Sequence, residues 1–158
     1  MSHLVDRILT HLKNGSPEEQ QVAISQACLL FEKSLGRPNV GWDEEVAKEP
    51  VTADDVSRLR IALVVFVAEH LPPPPVASAV SALGVLCDPG LRDLFRRCVE
   101  IHCVYGSDTG VLYQAMIALD NLEEDIFPME DGQGHASIAE TERNLHLAVQ
   151  YLKKLGKR

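Results

Sequence analysis

The chain is poor in aromatic residues and has no long hydrophobic run. Phe, Trp and Tyr together make up 5% of its 158 residues, and there is a single tryptophan. No apolar stretch approaches the ~20 residues that a helix needs to cross a membrane, so we expect no membrane-spanning segment. The first residues, beginning Met1-Ser2-His3, lack the basic and apolar regions of a secretory signal. We therefore expect a cytoplasmic protein.

Paired cysteines of the metal-binding or redox type are also missing. None of the four cysteines belongs to a C-x-x-C motif, and we expect reduced thiols packed as small hydrophobic residues. Cys98 and His102 lie four residues apart and share one face of a predicted helix, but zinc requires three or four ligands. The chain also has no glycine-rich phosphate loop and no nucleophile-elbow motif. We expect no cofactor, no metal and no catalytic role.

Basic residues are in the minority. The sequence contains 15 Lys+Arg and 23 Asp+Glu, which gives a formal net charge of -8. Such a protein repels nucleic acid and anionic lipid at long range, so neither is an expected partner. A chain of this length can bury roughly 70% of its unfolded surface and needs neither metal nor disulfide to hold a core. We predict one domain over residues 1–158.

Helix-start signals divide the chain, and no segment shows the alternation of a strand. Ser16 precedes Pro17 and Glu19, the arrangement of a capping box, and Thr52 and Ser137 begin similar sequences. The sequence thus predicts an all-α fold with about seven antiparallel helices. The predicted helices are residues 3–13, 17–35, 53–71, 75–87, 89–104, 109–123 and 137–155.

The apolar run at residues 61–68 is the hardest segment to assign. Its β-branched content alone would favour a strand. The run continues without a turn signal from Thr52 to the prolines at 72–75, so we predict a helix that neighbours cover on most sides. Two long connections remain, residues 36–52 and 124–136. Loops longer than about 12 residues in a compact domain tend to be functional or disordered.

A short internal repeat lies in the second half of the chain. The sequence SAVSAL at residues 78–83 matches QAMIAL at residues 114–119. Small residues three apart let helix axes approach closely, and the leucine that follows fills the gap beside them. The stretch 76–122, with the hinge DPGL at residues 88–91, resembles a HEAT-like repeat of the short kind found in phycobilin-lyase-type proteins. The resemblance implies an α-solenoid, and an irregular helical bundle is the alternative.

The resemblance implies that the chain binds a protein, because the stacked helix pairs of an α-solenoid offer a broad concave face. HEAT-like DNA glycosylases need a basic groove, from which this chain departs, and no residue specific to bilin lyases is found. Small HEAT-like immunity proteins, which neutralise a companion toxin, are similar in general character. We expect a non-catalytic protein-binding module, most concretely an immunity protein. A lyase-like chromophore-handling enzyme and a structural adaptor are the alternatives, and the oligomeric state is left open.

Two acidic stretches are the predicted partner-binding sites. One runs from residue 120 to 131 without Lys or Arg and surrounds Phe127, and the other follows Trp42. Acids speed the encounter with a basic protein and apolar anchors prolong the complex, although both aromatics could instead pack back onto the helices. The first stretch lacks the alternating ligands of a calcium loop. The predicted site residues are Asp120, Glu123, Glu124, Asp125, Phe127, Met129, Glu130, Asp131, Trp42, Asp43, Glu44 and Glu45.

Overall fold

A computed structural model of the chain describes residues 3–37, 43–69, 75–104, 107–127 and 137–156. Within these ranges the chain forms α-helices and one 3-10 turn, with no β-strand, so the predicted all-α class is confirmed. The choice between a solenoid and a bundle stays a prediction. The helices are α1 (His3–Asn14), α2 (Pro17–Ser34), α3 (Glu44–Lys48), α4 (Ala53–Glu69), α5 (Val76–Val85), α6 (Arg92–His102), α7 (Thr109–Asn121) and α8 (Thr141–Gly156).

Two of the predicted capping boxes are present. At the start of α2, Ser16 Oγ accepts a hydrogen bond of 3.2 Å from Glu19 N, and Glu19 Oε2 accepts one of 2.8 Å from Ser16 N. At the start of α4, Thr52 Oγ1 and Asp55 Oδ2 each accept from the other residue's backbone N–H, at 3.1 and 3.0 Å. These paired bonds satisfy amides that a helix start leaves free. The predicted starts of α2 and α4 are therefore confirmed.

The predicted helix start at residue 137 is wrong. The carbonyl of Ser137 accepts from the backbone N–H of Glu140 at 3.1 Å and from Asn144 Nδ2 at 3.0 Å, which closes a turn ahead of α8. The segment that was expected to be only a connection, residues 36–52, contains the short helix α3. Asp43 Oδ1 caps α3 by accepting from Val46 N at 3.0 Å, and Val46 is fully buried. The buried valine and Lys33, whose Nζ donates to the carbonyls of Val46, Ala47 and Glu49, thus hold a helix that is too short to show a hydrophobic period.

The chain divides into two compact units, Met1–Leu86 and Cys87–Arg158. The single domain over residues 1–158 stays a prediction. In the first unit α2 packs against α1, α4 and α5, and α4 packs against α1 and α5. The predicted helix at the apolar run 61–68 is confirmed as part of α4, but neighbours cover only part of it. Leu63 and Phe66 are buried, whereas Ile61 and Val65 are exposed.

In the second unit, α7 packs against α6 and α8. The helix face that Cys98 and His102 share is buried, together with Leu91, Phe95 and Val99. That helix begins as a 3-10 turn at Pro89–Leu91, where Asp88 Oδ1 accepts from Gly90 N at 2.8 Å. None of the helices in the described ranges is long and apolar enough to cross a membrane.

The two matched hexapeptides lie on α5 and α7, one in each unit. Each of them buries two alanines and the leucine that follows. The boundary between the units falls inside the predicted repeat region 76–122. The buried residues are Ala79, Ala82 and Leu83 on α5, and Ala115, Ala118 and Leu119 on α7.

Candidate functional site

The first acidic stretch begins in a tight turn at the end of α7. The backbone N–H of Glu124 donates to the carbonyl of Leu119 at 3.0 Å, and that of Glu123 donates to the carbonyl of Asp120 at 2.9 Å. These two bonds form a Schellman motif, which normally has glycine in the left-handed position. Glu123 takes that position here, with φ of 64°. The turn sends the chain back so that Ile126 and Phe127 are buried.

Glu124 is the centre of a cluster that joins this turn to α6 and α8. Its side chain is 15% exposed. Its Oε1 atom accepts a hydrogen bond of 2.8 Å from Arg96 Nη2 and lies 2.9 Å from Arg92 Nε in an ion pair. Its Oε2 atom accepts from the hydroxyl of Tyr151 at 3.2 Å, and that hydroxyl accepts from Arg96 Nε at 2.9 Å. Glu124, Arg96 and Tyr151 therefore form a closed ring of hydrogen bonds, and Arg92 adds an ion pair to Glu124.

The electrostatics of the cluster fix its protonation. The hydrogen bond to Tyr151 and the charge of Glu124 raise the pKa of Arg96, and burial raises the pKa of Tyr151. Arg96 therefore stays charged at every physiological pH, while Tyr151 keeps the proton that it donates to Glu124. The carboxylate of Glu124 is committed inside the protein and is not the free surface acid that the sequence predicts.

Three acids of the same stretch do face solvent. Asp120 and Glu123 are exposed, and the side chain of Asp125 is 76% exposed, with its Oδ2 3.3 Å from Lys154 Nζ. Partial burial raises the pKa of Asp120. We name Asp120, Glu123 and Asp125 the acidic turn. The structure brings these three predicted site residues together within one turn of backbone.

The apolar part of this predicted site differs from the expectation. Phe127 is 8% exposed, so it packs back into the protein. This is the alternative that the sequence left open, and Phe127 is not an exposed anchor. Met129, Glu130 and Asp131 lie outside the described residues, as does Trp42.

The second acidic stretch mainly serves the short helix α3. Asp43 caps it, and Glu44 lies 3.7 Å from Lys48 in an exposed pair within the helix. Glu45 forms an ion pair with Arg7 of α1. Each of these predicted site residues therefore has an intramolecular partner, whereas among the described residues only Asp125 of the acidic turn has an ion pair, with Lys154. The second stretch is for that reason the weaker candidate.

A groove of about 280 Å³ borders the acidic turn. Its lining includes Asp125 and, from α8, His146, Gln150 and Lys154. It offers both signs of charge next to the acids, which suits hydrogen bonding to the polar rim of a partner.

Cys98 and His102 lie elsewhere in the second unit. Burial raises the pKa of Cys98 to about 11 and lowers the pKa of His102. His102 Nδ1 lies 2.8 Å from Ser107 Oγ in a hydrogen bond. In the part of the chain that the structure describes, no three His, Cys, Asp or Glu side chains are grouped so that they could hold a metal ion.

The roles of Arg92, Arg96 and Tyr151 were not predicted from the sequence. Neither arginine is among the predicted site residues, yet both form ion pairs with Glu124 in the structure. Tyr151 offered the usable signal. A tyrosine that falls among the buried positions of an amphipathic helix needs a hydrogen-bond partner for its hydroxyl.

Comparisons of this chain with protein-family models, with curated proteins and with solved structures found no match. The resemblance to HEAT-like repeats therefore stays a prediction.

Proposed function

We propose that this protein is a non-catalytic protein-binding module that takes a basic protein partner through the acidic turn. In its most concrete form it is an immunity protein that neutralises a companion toxin. The net charge of -8 and the HEAT-like resemblance support that form. A toxin gene beside the gene for this chain would support it further.

One observation carries the proposal: Glu124 holds the backbone that presents the three exposed acids. Its bonds to Arg96 and Tyr151, and the burial of Ile126 and Phe127, fix the residues on either side of Asp125. A surface that is already ordered loses less conformational entropy when it binds. The acidic turn therefore meets a partner without first having to fold.

The charge of the turn sets the kind of partner. Exposed carboxylates attract a positively charged protein surface over a screening length of about 8 Å at physiological ionic strength and raise the association rate. Apolar contacts at the centre of an interface mainly govern how long a complex lasts. We assign to the acidic turn the role of raising the association rate, because the apolar residues that follow it, Ile126 and Phe127, are buried.

Copurification from the native cell tests the proposal. The tagged chain is compared with a triple variant, Asp120→Lys, Glu123→Lys and Asp125→Lys, and with a control triple, Glu18→Lys, Glu100→Lys and Glu142→Lys. The control acids are also exposed, lie outside both acidic stretches and change the net charge by the same amount.

We expect the parent and the control to retain a basic protein that the first triple variant loses. Equal recovery with all three chains, or loss with the control alone, would contradict the proposal. Glu124 is left unchanged because its removal would disturb the turn itself.

A further inference from the structure

An apolar groove lies between α1 and α4 in the first unit. It has a volume of about 330 Å³ and is lined by Leu9, Leu12, Ala62, Val65 and Phe66, with Lys13 and Glu69 at one end. This face uses none of the residues of the acidic turn, so an inference about it goes beyond the proposed function.

The α4 side of the groove is exposed although it is apolar. Ile61 is 57% exposed and Val65 is 44% exposed. They lie four residues apart and so share one face of the helix. Isolated apolar residues are common on protein surfaces, but two such residues beside an apolar groove form a continuous patch of the kind that marks an interaction site.

The charges around the groove alternate in sign. Arg58 Nη2 bonds Asp6 Oδ1 at 2.8 Å, which places the first turns of α1 and α4 side by side. Lys13 and Glu69 line the other end, so the two helices run in the same direction. Along α1 the negative Asp6 is followed by the positive Lys13. Back along α4 the negative Glu69 is followed by the positive Arg58, so the sign alternates around the face. These four charges cancel, but Asp54 and Asp55 also lie beside Arg58, so the end of the face at Asp6 and Arg58 is net acidic.

We propose that this face binds the same face of a second copy of the chain in a two-fold dimer. A two-fold axis along the helices would stack the two net acidic Asp6–Arg58 ends on each other, which disfavours that arrangement. A two-fold axis across the helices stacks α1 on α1 and brings Asp6 onto Lys13, and Arg58 onto Glu69. The arrangement with the axis across the helices opposes unlike charges at all four charged positions, which is the self-complementarity that an isologous interface requires.

The face is small for a protein–protein interface. Helices of roughly 18 Å and 25 Å, packed roughly 9 Å apart, present a face of about 400 Å². A stable interface takes about 800 Å² from each partner. An interface as small as this face is typical of weak, transient association, so we expect reversible dimerisation rather than a permanent dimer.

Sedimentation equilibrium of the full chain tests the proposal over a loading range of about 5 to 500 µM. The average mass of the parent should rise from that of the 17.4 kDa monomer towards twice that value. Val65→Lys should keep the monomer mass throughout the range, because it places two like charges in the apolar centre. Ile101→Lys is the matched control, since Ile101 is an exposed apolar residue of α6, and it should dimerise like the parent.

Charge reversals test the ion pairs that the dimer is expected to form. Lys13→Glu and Glu69→Lys should each weaken the dimer by about five- to tenfold, since each replaces two attractive pairs by two repulsive ones. Lys153→Glu and Glu100→Lys, at exposed positions of the second unit, should leave the dissociation constant within about twofold. Circular dichroism melts confirm that every variant is folded.

A parent chain that stays monomeric across the range overturns the proposal, and so does a dimer that survives Val65→Lys. A dimer lost in the Ile101→Lys control also overturns it, because that result places the interface on another face. None of these results bears on the acidic turn, whose test uses other variants.

Discussion

Arg96 Nε donates a hydrogen bond of 2.9 Å to the hydroxyl oxygen of Tyr151 and so joins α6 to α8. The same hydroxyl donates to Glu124 at 3.2 Å. The position of the acidic turn therefore depends on contacts made by two helices that are distant from it in sequence. The stability of this cluster and the presentation of the exposed acids are linked.

Glu124→Ala should lower the free energy of unfolding by about 1 to 3 kcal/mol, because it leaves the partly buried guanidinium groups of Arg92 and Arg96 without their carboxylate. The value lies below that of a fully buried ion pair because water reaches both arginines. Urea unfolding followed by circular dichroism measures it. Glu142→Ala, at an exposed position of α8, should change the free energy by less than about 0.5 kcal/mol. Equal effects of the two substitutions would mean that the cluster contributes nothing to stability.

Glu123→Gly should raise the free energy of unfolding by about 1 kcal/mol, because glycine adopts the left-handed conformation of Glu123 without crowding its Cβ atom. Gly36, with φ of 73°, has the same place at the end of α2, where Gly36 N bonds Lys33 O and Arg37 N bonds Glu32 O, both at 3.0 Å.

Gly36→Ala is the matched reverse change and should lower the free energy of unfolding by about 1 kcal/mol. No atom lies within 4 Å of a Cβ built on Gly36, so backbone conformation alone sets this cost. Opposite signs for the two substitutions are the expected result, and a destabilised Glu123→Gly variant would show that the turn is not left-handed at this residue.

The stability of the protein should fall as the pH is lowered below 6.5. Burial lowers the pKa of His102 from its ordinary value of 6.5, and the charge of Asp108 only partly opposes this. Well above pH 6.5 the imidazole of His102 is neutral in both the folded and the unfolded state, so it does not lower the free energy of unfolding there. Between 6.5 and the lower folded pKa only the unfolded state binds the proton, which costs at most about 1.4 kcal/mol per pH unit.

Urea unfolding of the parent at pH 7.5, 6.5 and 5.5 measures this loss. His102→Asn should make the profile shallower, because the asparagine amide can take the place of Nδ1 beside Ser107 and does not titrate in this range. An equally steep profile for His102→Asn and the parent would assign the loss to other groups. His146→Asn, at an exposed position of α8, controls for the removal of a histidine.

Cys98 should resist alkylation in the folded protein. Burial raises its pKa to about 11, so at pH 8 only about one thiol in a thousand is ionised. Cys87 is exposed and should be modified first by iodoacetamide, as shown by peptide mass mapping. In urea both should react at similar rates. Equal rates in the folded protein would show that Cys98 is accessible.

The helices could be predicted because their signals are local. The caps at Ser16 and Thr52 need only neighbouring residues, and the structure has both. The short helix α3 could not be predicted, since five residues are too few for a hydrophobic period. It is held by the burial of Val46 and by hydrogen bonds from Lys33 Nζ of α2 to carbonyls at its C-terminal end. Its existence depends on packing within the first unit.

The sequence predicted the acidic charge of the candidate site but not the contacts that hold it in place. The sequence showed that residues 120–125 are acidic, and the structure divides those acids into exposed ones and Glu124, which two arginines neutralise. That division depends on α6 and α8 meeting the turn, a tertiary arrangement that no local pattern records. The left-handed Glu123 was equally hidden, because the expected glycine is missing at that end of α7.

The association rate of the chain with the basic protein that it retains in copurification tests the central claim most directly. Stopped-flow measurements at about 50 and 300 mM salt should show that the parent associates faster at low salt, because charges are less screened there. Asp120→Lys, Glu123→Lys and Asp125→Lys together should slow association by about tenfold or more at low salt and flatten its salt dependence. An unchanged rate and salt dependence in this triple variant, with the control triple Glu18→Lys, Glu100→Lys and Glu142→Lys equally unaffected, would contradict the claim that the acidic turn steers the partner.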